Sequence, residues 1–429
     1  MAWVERLEAL GGTDINRALL EALTQAEADS ARPTVLVFLT DGLPTAGVVE
    51  VEQILANVRA AAPAGVRLFA FGVGDDVKTL LLDTLAQEHH GAVGYVRPGE
   101  RIDEEVSAFW AKVSMPVLAN LALDFGTVTV ADVYPDPLPD LFAGTQLIVV
   151  GRYREPGRAR IRLSGDVAAQ AQRYDYEATF RAEGGDAFIP RLWATRKIGH
   201  LLTQIRLRGE QREWVEAVVA LSLRYGIITP YTSFLIDEER LAGAPVLSQA
   251  EQEKAVEEFL ALPTLGVSGA PAAEAADEQA RLRLAESPDG VPLPAEAAQV
   301  LRVVGAKTFI LQNGVWVDTA FVAEEMETQR VGFGSEAYFR LLAARPEWGA
   351  YLALGERVIF VGDGVAYEVV EGEAGDLVLP DTATPPPTEG PGPGETPLPP
   401  ATPAPVTPTV APNPPAGSGG LCAAALIMG

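Results

Sequence analysis

The sequence predicts a multidomain chain of α/β and β type, and three observations predict it. Residues 1–115 alternate apolar strand runs with helical stripes, residues 116–188 carry short β-type runs without a helical stripe, and residues 299–371 hold two β-runs folded around Asn-Gly and Asp-Gly. At 429 residues there is room for several domains.

The opening stretch, "MAWVERLEALGGTD", places Trp3, Leu7 and Leu10 on one helical face and lacks the basic start and apolar stretch of a signal peptide. It reads as the last turns of a helix, as if the chain began inside a larger domain. Ile15, Ala18, Leu19, Ala22 and Leu23 predict a helix over 13–26. Val35–Leu39 is an unbroken apolar run, the pattern of a parallel strand covered on both faces. Val51, Ile54, Leu55 and Val58 mark a second helix, Val66–Phe71 a second strand, and 77–87 a third helix. A short strand at Val93–Val96 and a helix over 102–113 complete a βαβαβα order, which implies right-handed crossovers and an open parallel sheet.

The runs "ALDFGTVTVADVYP", "TQLIVVGRYR", "ARIRLSG" and "RYDYEATF" predict an antiparallel sandwich over 116–188. Two helices follow, opened by Pro190 and closed by Gly209 and Gly226, and then a strand in "IITPYTSFLI". Residues 243–295 are rich in Ala, Glu and Pro with little apolar bulk, which suggests a linker. Residues 296–373 read as a small α+β unit. Its two hairpins, "FILQNGVWVD" and "IFVGDGVAYEV", flank a helix capped by Ser335. Ile310, Trp316, Phe360 and Val369 are expected to pack on Phe339, Leu341 and Leu342 of that helix. Residues 374–420 form a Pro/Thr-rich stretch expected to be a disordered stalk, and 421–429 read as the possible start of a membrane anchor.

The formal net charge is -25, with 33 basic against 58 acidic residues, which argues against a nucleic-acid partner. The one cysteine, Cys422, excludes an internal disulfide and a zinc site built from several cysteines. Three histidines, His89, His90 and His200, support neither a zinc cluster nor a Ser/His/Asp set. Gly72-Val73-Gly74 lacks the third spaced glycine of a nucleotide loop. Trp193, Trp214, Trp316 and Trp348 lie in apolar patterns and read as core.

Asp41 ends the Val35–Leu39 strand, and ligands of open parallel sheets sit at the carboxyl ends of the strands. Thr13 opens a helix after Gly11-Gly12, so two loops at one sheet edge can bring a hydroxyl and a carboxylate to one hard cation such as Mg2+. The same residues suit structural roles: Thr13 and Asp14 as helix caps, Asp41 as the start of a turn with Gly42. Spacing alone leaves both readings open.

"GGTDINRALLEAL", "VLVFLTDGLPT" and "VRLFAFGVGDD" together resemble the second half of a von Willebrand factor type A domain. "DVYPDPLPDLFAGTQLIVVGRYR" and "IPRLWATRKIGHLLTQIRLRGEQREWVEAVVALSLRYGIITPYTSFLI" are similar to the segments that follow that domain in the inter-alpha-trypsin inhibitor heavy chain family, bacterial members included. The resemblance implies that residues 1–115 are the C-terminal half of a doubly wound parallel-sheet A domain, N-terminally truncated, and that 116–242 are the β-rich and helical-pair region of that family. It implies a metal-ion-dependent adhesion site in which Thr13 and Asp41 ligate Mg2+ and a protein ligand donates a carboxylate. The family's Asp-x-Ser-x-Ser pattern occurs nowhere in this chain, so the site is expected to be incomplete here, its other ligands lying upstream. Asp136-Pro137 is followed by Leu138 and Pro139 rather than His-Phe, and the family's glycosaminoglycan ester linkage is not carried over. The expected function is a non-enzymatic, extracytoplasmic adhesion or protein-interaction protein with no nucleic-acid partner, attached to a membrane only through its C-terminus. The alternative is a structural surface scaffold with a vestigial metal site.

Overall fold

The computed structural model describes residues 11–26, 34–229 apart from 64, 104–106, 108–115, 143–145, 168–169, 182–185 and 187, 249–287 apart from 262–267, 297–372 apart from 324–325, and 423–425. The expected stalk, most of the helix over 102–113 and most of the strand in "IITPYTSFLI" lie outside these residues. The chain divides into two compact units, Met1–Met326 with Cys422–Gly429 and Glu327–Leu421, so the expected 296–373 unit falls on both sides of the division.

The first unit begins with α1 (Ile15–Thr24), β1 (Val35–Thr40), α2 (Val51–Ala61), β2 (Arg67–Val73), α3 (Thr79–Glu88) and β3 (Val93–Val96). The three strands form a parallel sheet in the order β1-β2-β3, with Val35 opposite Arg67 and Thr40 opposite Gly72. Side chains alternate faces along a strand. On one face of β2, Leu68 and Ala70 join Leu19, Ile54, Leu81 and Leu85 of the three helices in a dry cluster. On the other, Arg67 bonds Asp140 and Phe69 meets Phe142 edge-on at 6.5 Å. β1 is the sheet's edge among the described residues, so the run expected to be covered on both faces is only partly buried, with Leu39 49% exposed.

The next elements are β4 (Pro116–Asp124), β5 (Val130–Tyr134), β6 (Leu141–Phe142), β7 (Leu147–Tyr153), β8 (Gly157–Val167) and β9 (Gln170–Phe180). They build antiparallel pairings in two sheets, β6-β4-β8-β9 and β5-β7. Phe125, Ile161 and Phe180 share one apolar cluster with Val130, Val133 and Tyr153.

Helices α4 (Ile189–Arg208) and α5 (Arg212–Tyr225) follow, with Pro190 in the first turn of α4 and Gly226 left-handed at the end of α5. α4 is buried nearly all round, from Leu192 to Ile205, and its buried polar groups are paired: Arg196, 3% exposed, donates to the Ala285, Tyr134 and Ile148 carbonyls.

The 243–295 segment, read from its composition as a linker, instead contributes α6 (Gln249–Ala261) and α7 (Ala270–Leu284) to this core. Val256, Phe259 and Leu282 join the cluster around α4. The reason is size. A Cβ on Gly199 of α4 would stand 2.4 Å from the Arg283 backbone nitrogen, so the two helices approach closely, and the alanines of α7 fill the space without bulk.

The unit ends in the short α8 (Ala297–Val300) and an antiparallel meander of β10 (Leu301–Val304), β11 (Lys307–Gln312) and β12 (Val315–Asp318). Asn313 (φ 50°) and Gly314 (φ 76°) make the β11–β12 turn, both left-handed as Asn-Gly predicts. The meander is tied to α5 by Thr319 Oγ1, which donates to the Arg224 carbonyl at 2.7 Å.

The second unit contains β13 (Thr328–Gly332), α9 (Glu336–Ala344), α10 (Gly349–Leu352), and the hairpin β14 (Val358–Gly362) and β15 (Val365–Val370), with β13 parallel to β15. Ser335 caps α9, its hydroxyl accepting from Tyr338 N at 3.2 Å. Its core is a ring cluster of Trp348, Phe360 and Tyr367. Phe339, expected in that core, is 58% exposed while Leu341 is fully buried. Two positions apart on a helix point to opposite sides, so the two residues cannot share a buried face. The C-terminal residues described, β16 (Ala423–Ala425), pair in parallel with Leu147–Val149 of β7 in the first unit. No helix among the described residues is long and apolar enough to cross a membrane.

Candidate functional site

Thr13 and Asp41 lie on two loops at the carboxyl edge of the parallel sheet, and the structure brings those loops together. Thr13 N donates to Thr45 Oγ1 at 2.8 Å, and its carbonyl accepts from Thr45 N at 2.9 Å and Ala46 N at 3.2 Å. The loop after β1 is thereby folded back onto the start of α1. A Cβ built on Gly42 would stand 3.9 Å from the Thr13 hydroxyl oxygen, which places that hydroxyl beside the Asp41-Gly42 peptide. Gly47, at φ 65°, leaves room for the Asp14 carboxylate, which a Cβ there would approach to 2.3 Å.

The structural roles open to these two residues are filled by their neighbours. Asp14 is the N-cap of α1, accepting from Arg17 N at 2.9 Å. Thr40 makes the turn after β1, its hydroxyl accepting from Gly42 N at 3.4 Å and donating to Gly42 O at 3.2 Å. The Thr13 hydroxyl and the exposed Asp41 carboxylate have no hydrogen-bond or ion-pair partner among the described residues. They are hard oxygen donors of the kind Mg2+ prefers, but they are two, and Mg2+ takes six. No group of three His, Cys, Asp or Glu suited to a metal occurs among the described residues.

The other sequence candidates have structural work. A Cβ on Gly72 would meet Tyr95 and Val77 at 3.0 Å and Leu82 at 3.2 Å, so this glycine serves close packing under α3. His89 ends α3 and His90 follows in a left-handed turn, φ 50°. His200 faces the Asp136 carbonyl at 3.3 Å and the Tyr134 ring at 5.3 Å. Burial lowers the pKa of both His89 and His200.

One feature escaped the sequence reading. A cleft of about 590 Å³ opens between α4, α5, β7 and the β10–β12 meander, with Trp193 in its wall. Lys197, one helical turn after Trp193, was the available signal, because residues four apart share a helix face.

Residues 2–103 match the von Willebrand factor type A domain. Among curated proteins, inter-alpha-trypsin inhibitor heavy chain H2 of Sus scrofa is 27% identical over 58% of this chain and 29% of its own length. Heavy chain H6 of Homo sapiens is 30% identical over 55% of this chain and 20% of its own. The chain thus spans under a third of the length of these relatives. A solved von Willebrand factor type A structure from Catenulispora acidiphila aligns over 60% of this chain and 71% of that one, at 17% identity and a TM-score of 0.36, too loose to bear on function. The chain carries a von Willebrand factor type A domain region and is related to inter-alpha-trypsin inhibitor heavy chains at 27–30% identity.

Proposed function

We propose that this chain is a non-enzymatic protein-interaction protein whose A-domain edge contributes Thr13 and Asp41 to a Mg2+ site, the bound protein completing the ion's coordination with a carboxylate. The observation that carries the reading is that the Thr13 hydroxyl and the Asp41 carboxylate have no partner among the described residues while Asp14 and Thr40 do the capping and turning beside them. When bound, the ion supplies an open position for an anionic oxygen of the partner. The chain's own residues hold the two loops together and keep the hydroxyl and carboxylate free. The Pro- and Thr-rich composition of 374–420 supports display away from a cell surface.

A second reading, a structural scaffold with a vestigial site, is favoured by the ligand count, since two protein oxygens cannot impose octahedral geometry. Isothermal titration with MgCl2 separates the two. The adhesion reading predicts no saturation at micromolar ion, weak binding in the millimolar range, and loss of that binding in Asp41→Ala. Binding indifferent to Asp41→Ala, or none at any concentration, favours the scaffold.

A further inference from the structure

The cleft beside α4 and α5 has an electrostatic character opposite to the rest of the chain. Four cations line it, Arg152, Lys197, Arg224 and Lys307, against one carboxylate, Asp318, in a protein of net charge -25. Two of the cations are neutralised in place. Lys307 pairs with Asp318 at 2.6 Å, and Lys197 with Asp132 at 2.8 Å. Asp318 is 1% exposed and also accepts from Ala320 N at 2.9 Å, so this pair is part of the cleft's fabric.

Arg152 and Arg224 are different. Both are exposed, and neither has an acidic partner among the described residues. Each stands over an aromatic ring instead: Arg152 lies 5.5 Å from the centre of Trp193, and Arg224 lies 5.7 Å from that of Tyr225. The two rings meet edge-on at 6.3 Å, and Trp193 is fixed by its Nε1 donating to the Asp132 carbonyl at 3.0 Å. The packed rings hold two guanidiniums in the lining of the cleft, each without a carboxylate partner among the described residues.

A guanidinium fork is built to take a carboxylate through two parallel hydrogen bonds. One carboxylate satisfies one fork. Two forks carried on two neighbouring rings call for two carboxylates joined by a flexible apolar spacer, which is the chemistry of adjacent acidic side chains on a peptide. The volume falls within the range of pockets that bind ligands. We propose that this cleft binds an acidic peptide segment, Arg152 and Arg224 each engaging a carboxylate and the partly buried Ala217, Leu221 and Tyr225 of the cleft wall taking the aliphatic part of the side chains. No metal takes part, so the site is independent of the Thr13–Asp41 edge. The bulk field of so acidic a chain opposes such a ligand, and binding therefore depends on local geometry.

The probe is a fluorescein-labelled hexaglutamate peptide, titrated with the full chain at low salt and followed by fluorescence polarisation. Saturable binding is expected, weakened about tenfold or more in Arg152→Gln/Arg224→Gln and weakened to a smaller degree in Arg152→Lys/Arg224→Lys, which keeps the charge but loses the fork. Arg160→Gln/Arg173→Gln changes the net charge equally on exposed residues of β8 and β9 and should leave affinity unchanged. EDTA and Asp41→Ala should also have no effect; loss in either would move the binding to the metal edge and overturn the cleft proposal. Equal weakening in the β8–β9 control, no weakening in the double Gln variant, or no binding at millimolar peptide would overturn it as well. Circular dichroism of each variant checks that the exposed substitutions leave the fold intact.

Discussion

Arg67, on the central strand of the parallel sheet, is ion-paired with Asp140 just ahead of β6, and the two side chains are 4% and 3% exposed. Asp140 also accepts from the Asn120 backbone at 3.0 Å, and Arg67 reaches the Asn120 side chain at 2.6 Å. The pair joins the A-type sheet to the antiparallel region. Breaking a buried pair leaves a charge without compensation. Asp140→Ala should therefore destabilise the first unit by about 3–5 kcal/mol, whereas Arg67→Met/Asp140→Leu should cost far less. Urea unfolding followed by tryptophan fluorescence checks this; equal losses in both variants would mean the charges are not what matters.

The contact of Gly199 with α7 gives a second test. A side chain at 199 has no space against the Arg283 backbone. Gly199→Val should cost about 3 kcal/mol by overpacking and release α7 from the core. Limited trypsinolysis reads this directly, because Arg281 and Arg283 lie in α7. The wild-type chain should resist cleavage there and the variant should not. Rapid cleavage of the wild type would show that 270–284 is a linker after all.

Two histidines give the pH dependence. Burial, opposed in part by Glu88, lowers His89; burial, opposed in part by Asp136, lowers His200. In the unfolded chain both titrate near 6.5, so below that value the unfolded state binds more protons than the folded one. Their contribution is complete above about pH 6.5 and is lost as pH falls below that value through the lowered folded pKa. The urea midpoint should fall between about pH 7.5 and pH 5.5, and His200→Gln should flatten the fall. An unchanged slope in that variant would remove His200 from the explanation.

The left-handed Asn313 offers a conformational test. Asn313→Ala puts a residue without a local hydrogen-bonding side chain at φ 50°. It should lower stability by about 1 kcal/mol. A thermal shift of a degree or more is the expected readout, and no shift would mean the turn can adopt another type.

Most of the frame was legible in the sequence because periodicity reports burial. The apolar runs of β1 and β2, the stripes of α1 and α2, and the two Asn/Asp-Gly turns all follow from local rules. What escaped was set by distant packing. Alanine is neutral in a stripe count, so α7 looked like a linker until Gly199 brought α4 against it. Phe339 looked like core because it is aromatic, yet helix geometry gave the buried face to Leu341. Trp193 lies in an apolar pattern, and of the cations that flank its ring only Lys197, on the same helix, is near it in sequence; Arg152 comes from β7. The loop edge at Thr13 and Asp41 was legible as a pair of positions; that Asp14 and Thr40 take the structural bonds beside them required coordinates.

The central claim is that the Thr13 hydroxyl and the Asp41 carboxylate face one ion. Manganese(II) titration observed in amide NMR spectra of the full chain tests it most directly, because the paramagnetic ion broadens signals nearest to it and reports weak sites. The account predicts that the Thr13 and Gly42 amides broaden first and that Asp41→Ala abolishes this selectivity. Broadening spread over the acidic surface, with Thr13 and Gly42 no more affected than the rest and no change in Asp41→Ala, would contradict it.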